Sequence, residues 1–215
     1  MTTSPSTPTR GRRNDPRLDA AFITAAVEVL NESGYARLTT TAVAQRAGAS
    51  TASLYRRWPS KQALVGAVAR HIALDELSDI DTGDLEGDVR ELMARKQRIL
   101  EGSAGSALLS LMGQAAHDPE LRRILREDVY LGVRERLEAL ITRAVRRREL
   151  ADDLTESEIS VLALVLIGTA LARSVFIASP TASPSQSPGS TDEPADLAAT
   201  ELHLLLHALR HRRQP

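Results

Sequence analysis

Between Thr51 and Arg57 the chain places two hydroxyls, a methyl, a phenol and two guanidinium groups on Thr51, Ala52, Ser53, Tyr55, Arg56 and Arg57. Side chains that donate, accept and contact a methyl are what reading base edges in a DNA major groove requires. Three further hydroxyls, Thr39, Thr40 and Thr41, precede this set, and Lys61 follows it. Hydroxyls at a helix N-terminus and a lysine ammonium suit phosphate oxygens, which fix register without carrying sequence information.

The elements that must position these groups are short and well marked. Thr39 is an N-cap for a helix with apolar Val43, Ala44 and Ala47, and Gly48 ends it, because glycine enters a left-handed turn without steric cost. Ser50 caps a second helix, Thr51–Arg57, which turns Leu54 and Trp58 inward at i, i+4 spacing. Pro59 stops that helix and Ser60 caps the next. Upstream, Asp15-Pro16 is a cap followed by a first-turn proline, and Leu18, Phe22, Ala25, Ala26, Val29 and Leu30 form one apolar stripe ending at Gly34. The expectation is a three-helix head whose first helix supports a helix-turn-helix.

Here the chain resembles the tetracycline-repressor (TetR) family of bacterial transcriptional regulators. The likeness runs over residues 25–64 in the order Gly34-Tyr35, Thr39, Ala44-x-x-Ala47-Gly48-x-Ser50, Leu54-Tyr55, Pro59-Ser60-Lys61, covering roughly the first third of the chain. The resemblance implies base-edge or backbone contacts from Thr51, Ala52 and Ser53. It implies phosphate contacts from Tyr55, Lys61 and the Thr39–Thr41 hydroxyls. Arg57 could reach a guanine or a phosphate. Thr51 stands where many relatives carry lysine or glutamine, and Arg56-Arg57-Trp58 where an aromatic or histidine pair followed by Phe is usual, so the operator sequence is not inherited from the likeness.

Bulk properties agree with DNA binding at one end. Residues 1–65 hold nine Arg and Lys against four Asp and Glu, a net +5, while the remainder totals −6 of the overall −1. Residues 1–14 are rich in Ser, Thr and Pro and end in Arg10, Arg12 and Arg13: either an arm reaching the minor groove or phosphates, or a solvated basic tail. There is no cysteine, which excludes disulfides and thiolate chemistry. No glycine-rich phosphate loop, GxSxG or HExxH is present, so the chain is not expected to be an enzyme or to carry a cofactor. No apolar run is expected to reach membrane-span length, because Gly168, Thr169, Arg173 and Ser174 interrupt Ile159–Ile177; no membrane partner and a cytoplasmic location follow.

From Ser60 onward every segment reads as helix, giving an all-α fold: arm 1–14, DNA-binding head 15–62, and helical regulatory and dimerisation body 63–215. One helix is expected over Gln62–Leu77, a turn at Asp79–Gly83, helices at Leu85–Glu101 and Ser103–Ala116, and a long stretch from Pro119 to Leu150. A Pro/Ser/Gly loop, 179–194, precedes a last helix from about Ala195 to Arg212. Val161–Ile167 and Leu202–Leu209 are apolar on more than one face, which predicts a homodimer through the last two helices.

The resemblance implies a body cavity for a small apolar or amphipathic effector. Expected walls are Met93, Leu108, Met112, Val129, Tyr130, Val133 and Phe176, with methionine adapting to shape and tyrosine adding a polar tip. His203, His207 and His211 share one face of the last helix, but without an acidic or thiolate partner nearby in sequence they are not expected to bind metal. The function read from the sequence is therefore a dimeric, sequence-specific repressor released from a pseudo-palindromic DNA operator by a ligand. A ligand-independent architectural DNA-binding protein is the alternative.

Overall fold

The computed structural model describes residues 15–75, 77–176 and 193–211, and every regular element among them is helical. The expected arm, with Arg10, Arg12 and Arg13, and nearly all of the expected loop 179–194 lie outside the described residues.

Helix α1 (Pro16–Arg37) starts at Asp15, whose carboxylate accepts from Arg17 N at 3.0 Å. Phe22, Ala25, Ala26, Val29 and Leu30 are buried along one face, as an apolar stripe at helical spacing demands. The apolar stripe ends at Gly34, where φ 72 breaks the helical backbone, and a further turn runs on to Arg37 and turns Tyr35 into the core. The helices α2 (Thr40–Arg46), α3 (Thr51–Tyr55) and α4 (Lys61–Arg70) complete the head.

The body contains α5 (Leu85–Glu101), α6 (Ser103–Ala115), α7 (Pro119–Leu125), α8 (Leu131–Arg146), α9 (Glu156–Phe176) and α10 (Glu193–Arg210). Two expected single helices are each interrupted by a wide π-turn, His71–Asp75 after α4 and Arg126–Tyr130 between α7 and α8. These turns meet at the seam between head and body, where glycine sets the clearance. A Cβ on Gly132 would stand 2.3 Å from Leu74 Cδ1, and one on Gly66 would stand 2.5 Å from Asp128 Oδ2. Helix α1 packs on α6, and Asn31 Nδ2 donates to Ser103 O at 2.9 Å, so head and body share one core.

The loop from Ser78 to Asp84 is held by polar arms. Asp88 is fully buried, accepts from Thr82 N at 2.6 Å and Thr82 Oγ1 at 2.9 Å, and pairs with Arg147 Nη1 at 3.1 Å. Arg95 and Arg143 donate to the carbonyls of Ser78 and Ile80 at 2.6 and 2.5 Å. A buried carboxylate survives desolvation only with such a full set of partners.

Helix α9 corrects one expectation. Its 21 residues and mean hydropathy of 2.1 are enough, by length and composition, to cross a bilayer. Gly168, Thr169 and Ser174 lower hydropathy little, and Arg173 is the one charge after Glu158. Ile159, Ala163 and Leu166 are buried against the body, while Val161, Leu164, Val165, Val175 and Phe176 form an exposed apolar edge. On α10, Leu206 and Leu209 are buried whereas Leu197 and Leu204 are exposed.

Candidate nucleic-acid interface and body cavity

The head is assembled from three serine and threonine caps. Thr39 Oγ1 accepts from Ala42 N at 3.1 Å, Ser50 Oγ from Ser53 N at 3.2 Å and Ser60 Oγ from Ala63 N at 3.0 Å. Each satisfies a backbone donor that a helix start would otherwise leave open. Gly48 makes the turn between α2 and α3 at φ 63. Leu54 is fully buried, and Trp58 meets Phe22 edge to face at 5.9 Å, so α3 is keyed onto α1.

This leaves an outward set smaller than the sequence suggested. Tyr55 is 48% exposed, and its hydroxyl bonds Thr40 Oγ1 at 3.0 Å, joining the recognition helix to the start of α2. Ala52 and Arg56 are exposed, and Arg56 Nη2 donates to Ser53 Oγ at 2.7 Å. Thr40, Thr51 and Ser53 are half-buried and Thr41 and Ser50 exposed at the same end, and Thr39 is exposed too, its hydroxyl taken up as the cap of α2. Two of the polar groups are thus oriented by neighbours before any ligand arrives, which lowers the ordering cost of binding.

Arg57 is a correction. Its side chain is only 7% exposed, its Nε donates to the Asp19 carboxylate of α1, and its Nη1 donates to Ser53 O at 3.1 Å. The guanidinium also lies 5.9 Å from the Phe22 ring centre. The group expected to reach DNA is an internal tie between α3 and α1. Lys61 likewise folds back: Nζ donates to Tyr35 O at 2.7 Å and stands 4.1 Å above the Tyr35 ring. Burial pushes its pKa down, with Asp118 opposing. Sequence reasoning missed Arg46, held by Glu28 at 3.2 Å and by both oxygens of Glu32 at 2.8 and 2.6 Å. Glu28 and Glu32 sit at i, i+4 on α1, a signal that was available.

A narrow cavity of about 80 Å³ opens between α5, α6, α9 and the end of α4. Leu108, Met112, Val129 and Val133 line it as expected, together with Ala73, Leu77, Lys96 and Leu166. Three expected walls are elsewhere. Met93, a single residue round the helix from Leu92, is rotated into the core. Tyr130 lines an adjoining cleft with Leu164 and Arg126. Phe176, the last residue of α9, is 83% exposed. The histidine rings follow one another along α10, His203 and His207 stacked with centroids 6.3 Å apart and His207 and His211 tilted at 4.5 Å.

Comparison with known proteins matches both halves of this architecture. Residues 22–68 match the family described as bacterial regulatory proteins, tetR family, and residues 79–184 match the tetracyclin repressor-like C-terminal domain. The DNA-binding transcriptional repressor TetR of Mycobacteroides abscessus is 30% identical over 136 residues, 63% of this chain and 72% of that one. The HTH-type transcriptional regulator YdeS of Bacillus subtilis is 28% identical over 152 residues, 71% and 76% of the two chains. A TetR-family regulator from Rhodococcus sp. superposes with a TM-score of 0.72 over 92% of this chain and all of that one, at 14% identity. With a helix-turn-helix capped at each start, an outward Tyr55 and Arg56, and an all-helical body behind them, the chain belongs to the TetR family of DNA-binding transcriptional regulators.

Proposed function

We propose that the protein is a homodimeric repressor that binds a pseudo-palindromic operator in the cytoplasm and is released when a small apolar or amphipathic effector enters the body. The carrying observation is that α4 and the π-turn after it join the head to the cavity. Lys61 at its start grips the end of α1, and the π-turn at its far end carries Ala73 into the cavity wall. A ligand that favours one position of this segment biases the heads that the segment holds. The ligand need only bind the non-DNA state better by a few kcal/mol, about 1–3 for a typical allosteric coupling.

Ala52, Thr51, Ser53 and Arg56 face base edges in this reading, while Tyr55, the Thr39–Thr41 and Ser50 region and the remaining N–H groups of Lys61 face phosphates. The exposed edges of α9 and α10 support a dimer: Val161, Leu164, Val165 and Leu204 are the apolar residues that a second copy covers. Two heads then read half-sites related by the dimer axis. The similarity to a repressor in M. abscessus supports repression over activation.

Selection from a random duplex pool at physiological salt tests the reading, with the mass of the complex measured by light scattering. Enrichment of a pseudo-palindrome bound by two subunits is expected. Binding without enrichment, fading steeply with salt, would overturn it in favour of an architectural DNA-binding protein.

A further inference from the structure

Among the described residues, the cavity has a single charged residue in its wall. Lys96 of α5 lies among leucines, isoleucines and valines, and its side chain is only 12% exposed. Its Nζ donates to Glu201 Oε1 of α10 at 2.5 Å and to Thr169 Oγ1 of α9 at 3.1 Å. The Thr169 hydroxyl in turn donates to Glu201 Oε1 at 2.6 Å, and Arg173 Nη1 stands 4.0 Å from the other carboxylate oxygen. Desolvation makes a buried ion pair of this kind a weak source of stability. At the wall of an apolar cavity, a few convergent polar groups are what orient a ligand.

The geometry points to a short-chain aliphatic monocarboxylate as the effector, with its alkyl chain in the cavity of about 80 Å³ and its carboxylate on Lys96 Nζ in place of Glu201. This assignment rests on reading the cavity as the effector site. The step exchanges one carboxylate for another, so no proton moves and no bond other than hydrogen bonds changes. Glu201 is not orphaned by it, because the Thr169 hydroxyl and the Arg173 guanidinium remain beside it. A neutral alkane or alcohol fills the apolar space but cannot replace the ion pair. The exchange also undoes a tie between α5 and α10, which are otherwise bridged by Arg210 and Glu86 at 3.4 Å. Effector binding is thereby coupled to the seating of α10 as well as to α4.

Titration calorimetry on the full chain tests this with straight-chain carboxylates from propionate to hexanoate, the short end of which matches a cavity of about 80 Å³, and the alcohols of matching length. The best carboxylate is expected to bind about ten- to a hundredfold more tightly than its alcohol, the range of a charge-assisted hydrogen bond. Lys96→Met should remove that preference, and Glu201→Gln should tighten the carboxylate by removing its competitor. Met112→Trp, which fills the cavity, should abolish both series. Equal affinity for acid and alcohol, both lost in Met112→Trp, overturns the carboxylate assignment and leaves the effector cavity standing. Binding that ignores Met112→Trp overturns the cavity reading itself. Glu201→Gln weakening the carboxylate as Lys96→Met does overturns the exchange, and no binding in either series overturns the assignment. If Lys96→Met fails to fold, the acid-to-alcohol ratio of the unaltered chain and the Glu201→Gln titration still decide.

Discussion

Replacing Arg57 by alanine separates a structural role from a reading role. The substitution removes a charge-assisted bond to Asp19, a bond from Nη1 to Ser53 O, and a buried stem beside Phe22. Removing one partner of a fully buried ion pair costs about 3–5 kcal/mol. Asp19 is 38% exposed, so water recovers part of its solvation, and the pair must be discounted for screening. A loss of about 2–3 kcal/mol remains, equivalent to a drop of roughly 5–10 °C in melting temperature for a chain of this size. Asp19→Ala should reproduce most of that loss, although Asp19 belongs to α1 and has no place on the reading face. The assay is thermal and urea unfolding by circular dichroism, set beside operator affinity for Arg57→Ala, Asp19→Ala and Arg56→Ala. Arg56→Ala should weaken operator binding by about 1–3 kcal/mol with an unchanged melt. If Arg57→Ala melts like the unaltered chain and loses operator affinity as Arg56→Ala does, the internal assignment is refuted.

Gly48→Ala should cost about 1–2 kcal/mol in urea unfolding from φ 63 alone, since no atom lies within 4 Å of the added Cβ. Asp88→Ala should cost about 2–3 kcal/mol, because it frees Thr82 and removes the buried partner of Arg147, which keeps Asp81 and Glu149 beside it, and limited proteolysis should then cut between Ser78 and Asp84. Burial pushes the Lys96 pKa down from its ordinary 10.5, against the pull of Glu201. The charged form prevails below that lowered value. The preference for acid over alcohol should therefore fade as pH rises, at a lower pH than the ordinary 10.5 of a lysine would set, a change that calorimetry across pH would show absent in Lys96→Met.

Local signals made the head legible. Thr39, Ser50 and Ser60 announce their helices through bonds that span three residues, and Leu85 and Ser103 begin the helices expected there. What escaped reading depends on distant partners. Arg57 and Asp19 are 38 positions apart, Lys61 and Tyr35 are 26 apart, and Lys96 and Glu201 are 105 apart. An arginine on a short helix reads as outward until the position of the neighbouring helix is known. The π-turns had the same cause, since they lie where Leu74 presses onto Gly132 and Asp128 approaches Gly66, contacts that no periodicity carries. For the cavity expected from the resemblance, a rotation of one residue separates Leu92 in the wall from Met93 in the core.

The inward turn of Arg57 also limits how much address a single head can hold. With that guanidinium spent on Asp19, the proposed reading face among the described residues holds a methyl, a few hydroxyls, one phenol and Arg56. A half-site spelled with so few letters recurs by chance many times along a chromosome. In the proposed dimer, the target is singled out by the coincidence of two such words at one spacing and one orientation. That spacing is measured by the body, so the helices remote from DNA write part of the message. Evolution could then retune this regulator's set of genes by altering the seam at α4 and the edges of α9 and α10, with every residue on the reading face left as it is.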